Sequence, residues 1–192
     1  MAPLLAACAA AYLVASLNWA VVVLRLLGRD DPRTRGSGNP GTSNVYRIAG
    51  PGWAAVVLLL DVGRGAAVAW VALRFLPAPQ LPWIGLGLLL GNHFPVLHRF
   101  RGGKGVATWL GLAAAFHPLA AALSCAAWLV VYALSRVSFV GSVGMLGVLA
   151  AGILARTGLG PAPLAATGLS VALILFAHRR NLTGAPALPP PT

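Results

Sequence analysis

Long apolar stretches separated by short polar ones run through nearly the whole chain. A helix that crosses a bilayer takes roughly 20 apolar residues. Ala2 to Leu27, Trp53 to Leu76, Leu81 to Leu97, Gly105 to Ser135, Phe139 to Ala155 and Leu164 to Ala177 are the stretches of that kind. Pro77, Pro79 and Pro82 punctuate the connection between the second and third, and a Gly/Pro-rich turn around Gly158 to Pro163 precedes the last. Leu5-Ala6-Ala7-Cys8 resembles a lipoprotein cleavage box, but no basic segment precedes it and the apolar run continues well past it. The first stretch therefore reads as a single uncleaved helix.

Gly105 to Ser135 decides the topology. If His117-Pro118 breaks it, the chain has seven segments. Arg25, Arg29, Arg33, Arg35, Arg47, Arg99, Arg101, Lys104, Arg136, Arg179 and Arg180 then share one side, against Arg74 and Arg156 on the other, eleven against two. As one helix it leaves six segments and a ratio of nine against four. Because cations collect in cytoplasmic loops, seven is preferred. The expectation is an all-α integral membrane protein with seven transmembrane helices, one short or broken near His117-Pro118, its amino terminus outside and its carboxyl terminus cytoplasmic. Gly105 to Phe116 is then too short to cross alone and must be packed inside protein. Residues 1–184 read as one membrane domain and the proline-rich residues 185–192 as a disordered cytoplasmic tail.

Composition narrows the chemistry. Of 192 residues, 58% are hydrophobic, and 14 basic residues stand against three acidic ones, Asp30, Asp31 and Asp61. There is no glutamate, so clustered-carboxylate chemistry such as a two-metal site is nearly excluded, and no metal or other cofactor is expected. Cys8 and Cys125 both lie in apolar stretches and read as small buried residues rather than a disulfide framework.

Seven crossings bring three polar segments to the same side: Gly36 to Arg47 (GSGNPGTSNVYR), Gly91 to Thr108 (GNHFPVLHRFRGGKGVAT) and His178 to Gly184 (HRRNLTG). Each mixes small residues with cations and amides, as a phosphate pocket requires: glycine lets backbone N–H groups approach oxygens, and lysine or arginine offsets the charge. Lys104 is the only lysine beside thirteen arginines, which points to a task for a compact ammonium. Most arginines, including Arg25, Arg29, Arg33 and Arg35, are explained by topology and headgroup contact. Arg47 follows Gly41-Thr42-Ser43-Asn44 where a donor cluster needs its charge. Gly85, Gly87, Gly141, Gly144 and Gly147 read as helix-packing glycines. Gly36, Gly38, Gly102 and Gly103 do not. Asp61 and Arg64, three apart in an apolar helix, read as an intramembrane pair or as organisers of the site. His117, His93 and His98 read as structural. His178 reads as functional, since Asn181 shares its helical face.

Several chemistries fail on spacing. G-x-x-x-x-G-K-[ST] is not matched around Lys104, none of the histidines has an aspartate five residues on, and no H-E-x-x-H exists.

GSGNPGTSN, FRGGKGVAT and HRRN, in this order, resemble the bacterial acyl-phosphate:glycerol-3-phosphate acyltransferase family, PlsY. Asp61-Val62-Gly63-Arg64-Gly65 and Arg136-Val137-Ser138 to Ser142 are similar to further family segments. The resemblance implies seven membrane helices in the bacterial inner membrane, an active site facing the cytoplasm, and membrane lipids around it. It implies transfer of a fatty acyl group from acyl phosphate, not acyl-CoA or acyl carrier protein, to glycerol 3-phosphate. The products are lysophosphatidate and phosphate, in the first acylation step of phospholipid synthesis. Carried over by position, Lys104, His178, Asn181, Arg47 and Ser142 are implied catalytic residues. Ser37, Gly38, Asn39, Gly41, Asn44, Gly102 and Gly103 are implied substrate-binding residues, and Asn92, His93, Asp61 and Arg64 are candidates without an assigned role. The implied mechanism needs no metal and lets the donor phosphate accept the hydroxyl proton. No nucleic-acid partner is expected, and the protein is expected to be a monomer.

This chain departs from the family pattern in four places. Gly91-Asn92-His93-Phe94-Pro95 stands where Gly-His-x-Phe/Tyr-Pro is usual, which on a helix turns the imidazole by about 100°. Arg64 replaces a lysine, Thr42-Ser43 replaces Ala-Thr, and HRRNLTGAP lacks the following Arg-Leu and the distal Gly-x-Glu. Two alternatives stand beside the enzyme: a small transporter or channel for an anionic metabolite, and a catalytically impaired paralogue that binds phospholipid precursors.

Overall fold

The computed structural model describes residues 1–183, and the expectation of a disordered tail at residues 185–192 lies outside them. Among the described residues the regular structure is entirely helical: α1 (Ala2–Ser16), α2 (Trp19–Leu26), α3 (Thr42–Ala49), α4 (Pro51–Phe75), α5 (Leu81–His93), α6 (Val106–Phe116), α7 (Pro118–Ser135), α8 (Ser138–Thr157), α9 (Pro161–Ala177) and α10 (Arg179–Leu182), with short 3-10 turns at Ala78–Gln80 and Val96–His98. Proline opens α1, α4, α5, α7 and α9. That position suits it, because the missing N–H has no intrahelical partner there. Four stretches, Ala2–Leu26, Pro51–Phe75, Pro118–Ser135 and Ser138–Thr157, are long and apolar enough to cross a membrane, while Val106–Phe116 and Pro161–Ala177 are shorter apolar helices.

The Gly105 to Ser135 stretch breaks at His117, where the preferred reading put the break. His117 leaves the helical conformation, at φ -151° and ψ 84°, and its Nδ1 accepts from the backbone N–H of Ala120 at 3.2 Å, capping α7. Two other expectations are corrected. Ala2 to Leu27 is not one helix: it parts at Leu17-Asn18, where the Asn18 side chain accepts from the N–H of Val21 at 3.1 Å and starts α2. Leu81 to Leu97 is helical only to His93, because Pro95 cannot continue the ladder.

The main core gathers α1, α4, α5, α6, α8 and α9 around Leu88, Leu112, Leu149 and Ile174, all fully buried. A smaller core of Ala20, Val23, Leu24, Val45, Ala54 and Val57 holds α2 and α3 on the first half of α4. Backbones approach closely where α4 meets α6. A Cβ on Gly65 would strike the Thr108 carbonyl, and one on Gly111 would strike that of Val62. Gly85, Gly87, Gly141 and Gly144 face neighbouring helices as expected, but a Cβ on Gly147 would meet nothing within 4 Å, so that glycine serves no packing role. Cys125 is exposed on α7 rather than buried, because that helix packs chiefly on α8 and turns its other side, with Leu119, Leu129 and Leu134, outward.

Candidate active site

The two glycine-rich motifs are loops that lead into helix N-termini without side-chain caps. Residues 36–41 run into α3, whose N-cap is Gly41; residues 99–105 run into α6, whose N-cap is Gly105 at φ 80°. Uncapped N-termini leave backbone N–H groups and the positive end of the helix dipole open to an anion. Spacing alone did not reveal this feature, although a glycine before a helix in place of serine, threonine or aspartate is its signature. The Oγ1 of Thr42 in the first turn of α3 is also buried without a hydrogen-bond partner.

The first loop is built around Asn44, which is fully buried. Its amide donates to the carbonyls of Pro32 at 2.8 Å and Arg35 at 2.9 Å, and its Oδ1 accepts from the N–H of Ser37 at 3.1 Å. Asn44 therefore shapes the loop from behind rather than lining its open face. Gly36 and Gly38 take φ of 58° and 68° there, and a side chain on Gly36 would collide with Oδ1 of Asn44. Ser37 is exposed and Gly38, Asn39 and Gly41 are half-buried, but the N–H groups of Gly38 and Gly41 are donated to the carbonyls of Arg35 at 3.0 Å and Asn39 at 2.9 Å, so these expected backbone donors are engaged within the loop.

The second motif lies against the first. A Cβ on Gly103 would come within 2.8 Å of the Pro40 carbonyl, and Asn18 Nδ2 donates to that same oxygen at 3.1 Å. The N–H groups of Gly102 and Gly103 are donated to the carbonyls of His93 at 3.2 Å and Asn92 at 2.9 Å. Both expected backbone donors are thus engaged with the end of α5. What demands glycine is the closeness of backbone, that of Asn92 at Gly102 and that of Pro40 at Gly103.

Lys104 joins the second motif to the third: its Nζ donates to Oδ1 of Asn181 at 2.6 Å. Burial, reinforced by the charge of Arg47 on α3, pulls the lysine down to about 8. His178, only 2% exposed at the end of α9, is held down to about 4 by burial and then by the charge of Lys104. Its Nδ1–H donates to the Ile174 carbonyl at 2.9 Å, so the neutral ring keeps Nε2 as an acceptor. Arg47, Lys104, His178 and Asn181 thus form one cationic and amide cluster. Ser142 stands apart from it, with its hydroxyl bonded to the Ser138 carbonyl at 3.2 Å and facing Trp128 Nε1 at 3.4 Å. The α8 hydroxyl that meets the first motif is Ser138, 3.2 Å from that of Ser43.

Behind the cluster, Arg64 is a hub. It pairs with Asp61 at 2.8 Å, donates to Thr108 Oγ1 at 2.8 Å, and donates to the carbonyls of Ala15 and Leu17 that the break after α1 leaves free. Asn92 Nδ2 donates to the same Thr108 oxygen at 3.2 Å. The Asp61–Arg64 pair therefore ties α4 to the break between α1 and α2 and to the start of α6, inside the bundle. An open apolar groove of about 590 Å³, lined by Leu13, Val14, Leu17, Trp19, Arg64 and Leu97, runs along the flank at the break, and no member of the cluster lines it. Among the described residues no three His, Cys, Asp or Glu side chains gather as metal ligands.

These features define a multi-pass integral membrane protein with three polar motifs drawn together at one end of a helical bundle. The sequence profile of the family described as Glycerol-3-phosphate acyltransferase matches residues 5–185, and the chain belongs to that family. A glycerol-3-phosphate acyltransferase of Pseudomonas paraeruginosa is 40% identical over 173 residues, covering 90% of each chain. The one from Azotobacter vinelandii is 42% identical over the same length and shares. The fold is similar to the crystal structure of PlsY (YgiH), an integral membrane glycerol 3-phosphate acyltransferase, in its glycerol 3-phosphate form. The TM-score is 0.85 at 33% identity, over 95% of this chain and 93% of that one. The lysophosphatidic acid form of PlsY gives 0.81 at 31% identity, with the same coverage.

Proposed function

We propose that this protein transfers a fatty acyl group from acyl phosphate to glycerol 3-phosphate, giving lysophosphatidate and phosphate. The observation that carries the reading is the meeting of Lys104 with Asn181 beside Arg47 and His178, next to the uncapped start of α3. Two phosphorylated substrates need positive charge that no protein carboxylate cancels, and this cluster supplies it.

Acyl phosphate is already an activated mixed anhydride, so the protein's task is to hold the acceptor hydroxyl against the carbonyl and to stabilise developing negative charge. The Ser37 hydroxyl, the Asn39 side-chain amide and the first amides of α3 receive one phosphate, on a loop that Gly38 and Gly41 shape. Arg47 and Lys104 offset the charge, and Asn181 orients Lys104. The glycerol oxygen bonds to the acyl carbon, the bond from that carbon to the phosphate oxygen breaks, and phosphate leaves. The hydroxyl proton passes to the departing phosphate. Neutral His178 presents Nε2 to the attacking hydroxyl and orients it. This route needs no metal.

Seven crossings, with the motifs on the cytoplasmic side of the bacterial inner membrane, fit this chemistry. The end of α5, the start of α6 and the end of α9 carry the site, and eleven cations share that side against two. Purified protein given acyl phosphate and radiolabelled glycerol 3-phosphate is expected to form labelled lysophosphatidate, and none with acyl-CoA. No product across several acyl chain lengths would overturn the reading, as would flux of glycerol 3-phosphate into liposomes without acyl transfer.

A further inference from the structure

Asn92 and His93 are left over by this chemistry: among the described residues neither side chain is hydrogen-bonded to Arg47, Lys104, His178 or Asn181. What they touch is the loop that carries Lys104. Three bonds clamp it to the end of α5. The N–H of Gly102 goes to the His93 carbonyl, the N–H of Gly103 goes to the Asn92 carbonyl, and His93 Nδ1 lies 3.0 Å from the Gly103 carbonyl oxygen. That oxygen can only accept, so Nδ1 carries the proton. The imidazole is seated edge-on against Phe94 at 4.5 Å and Phe176 at 6.0 Å between ring centroids. Asn92 is fixed beneath through Thr108 to Arg64.

We infer that His93, seated by these contacts, is a positioning residue for Lys104. The Gly103 carbonyl belongs to the peptide whose N–H is that of Lys104, so holding it sets the plane from which the lysine side chain leaves. The need for such a clamp is plain in the loop's composition, where Gly102, Gly103 and Gly105 flank the lysine and impose almost no conformation of their own. Nor can an ion pair hold the ammonium. The chain's three acids are spent elsewhere, Asp30 on Arg35, Asp31 on Arg33 and Asp61 on Arg64, and the charge of Arg47 repels it. Of the three bonds, only the one from the imidazole comes from a side chain, so a substitution can remove it alone.

This inference rests on the proposed role of Lys104, and the test separates the two. Acyl transfer by purified protein is compared for the parent, His93→Leu, His93→Asn and His93→Gln, with Lys104→Ala alongside. Asparagine places an N–H donor where Nδ1 stands, whereas glutamine places it near Nε2. His93→Leu and His93→Gln should lose about 100-fold in kcat/KM, the cost of a misplaced group at a reacting centre. The loss should appear in KM for the phosphorylated substrates, which a smaller folded fraction would leave unchanged. His93→Asn should recover most of it. Parent-like kinetics for His93→Leu would overturn the inference, as would equal behaviour of the asparagine and glutamine variants or an unchanged KM. If His93→Leu does not fold, the asparagine–glutamine contrast decides. An active Lys104→Ala would instead strike the role of Lys104 itself.

Discussion

Lys104 Nζ and Asn181 Oδ1 lie 2.6 Å apart across 77 positions of sequence, and the ammonium has an amide for a partner rather than a carboxylate. An amide orients the charge without cancelling it, which leaves Lys104 available to an incoming phosphate. Lys104→Ala should lower kcat/KM by about 100- to 1,000-fold, with unchanged elution and thermal midpoint in detergent. Lys104→Arg should restore little, since a planar fork does not fit the place of a compact ammonium. Acyl-transfer kinetics check both.

The pH dependence follows from the same lysine. Burial and Arg47 hold it at about 8, and its ammonium is the form the proposed chemistry uses. As pH rises through about 8 the ammonium is lost, so kcat/KM, which reports the free enzyme, should fall on the alkaline side. His178, held at about 4, stays neutral across the neutral range and should add no limb there. A profile of kcat/KM against pH is the check, and Lys104→Arg should flatten its alkaline limb.

Arg64 should matter more to stability than Asp61. Arg64→Met leaves a buried carboxylate alone together with the two carbonyls at the end of α1, and should cost about 3–5 kcal/mol. Asp61→Asn leaves the guanidinium with Thr108 and both carbonyls, and should cost roughly 1–3 kcal/mol. Thermal inactivation in detergent measures the order.

Gly65→Ala and Gly111→Ala each drive a methyl group into a backbone carbonyl on the facing helix. Parting α4 from α6 should cost about 1–3 kcal/mol in each case. Gly147→Ala has open space and should leave the thermal midpoint unchanged or raised.

Helix positions followed from the hydrophobic pattern almost everywhere, because a bilayer imposes one strong rule on composition. The pattern failed at Leu17-Asn18. There the apolar run continues, and only a tertiary partner, Arg64, makes the freed carbonyls tolerable. The residue types at the site were legible too, yet their tasks were not. Asn44 reads as a ligand group in GTSN but is spent on its own loop, and Gly102 and Gly103 read as phosphate donors but give their N–H groups to α5. His93, which helical geometry turns away from the place of Asn92, still reaches the second motif, because α5 ends there and the chain doubles back over it.

The sequence by itself determined that this chain is a basic, carboxylate-poor membrane protein, and picked out the three polar motifs that meet in the fold. Those properties are local: apolar run length, charge bias and residue type are all written along one dimension. Tertiary structure decided which polar groups are left open and which are spent holding the others in place. A buried donor needs an acceptor, and in a chain this poor in acids the acceptors are mostly backbone carbonyls and a few amide or hydroxyl oxygens, whose positions exist only once the helices have packed.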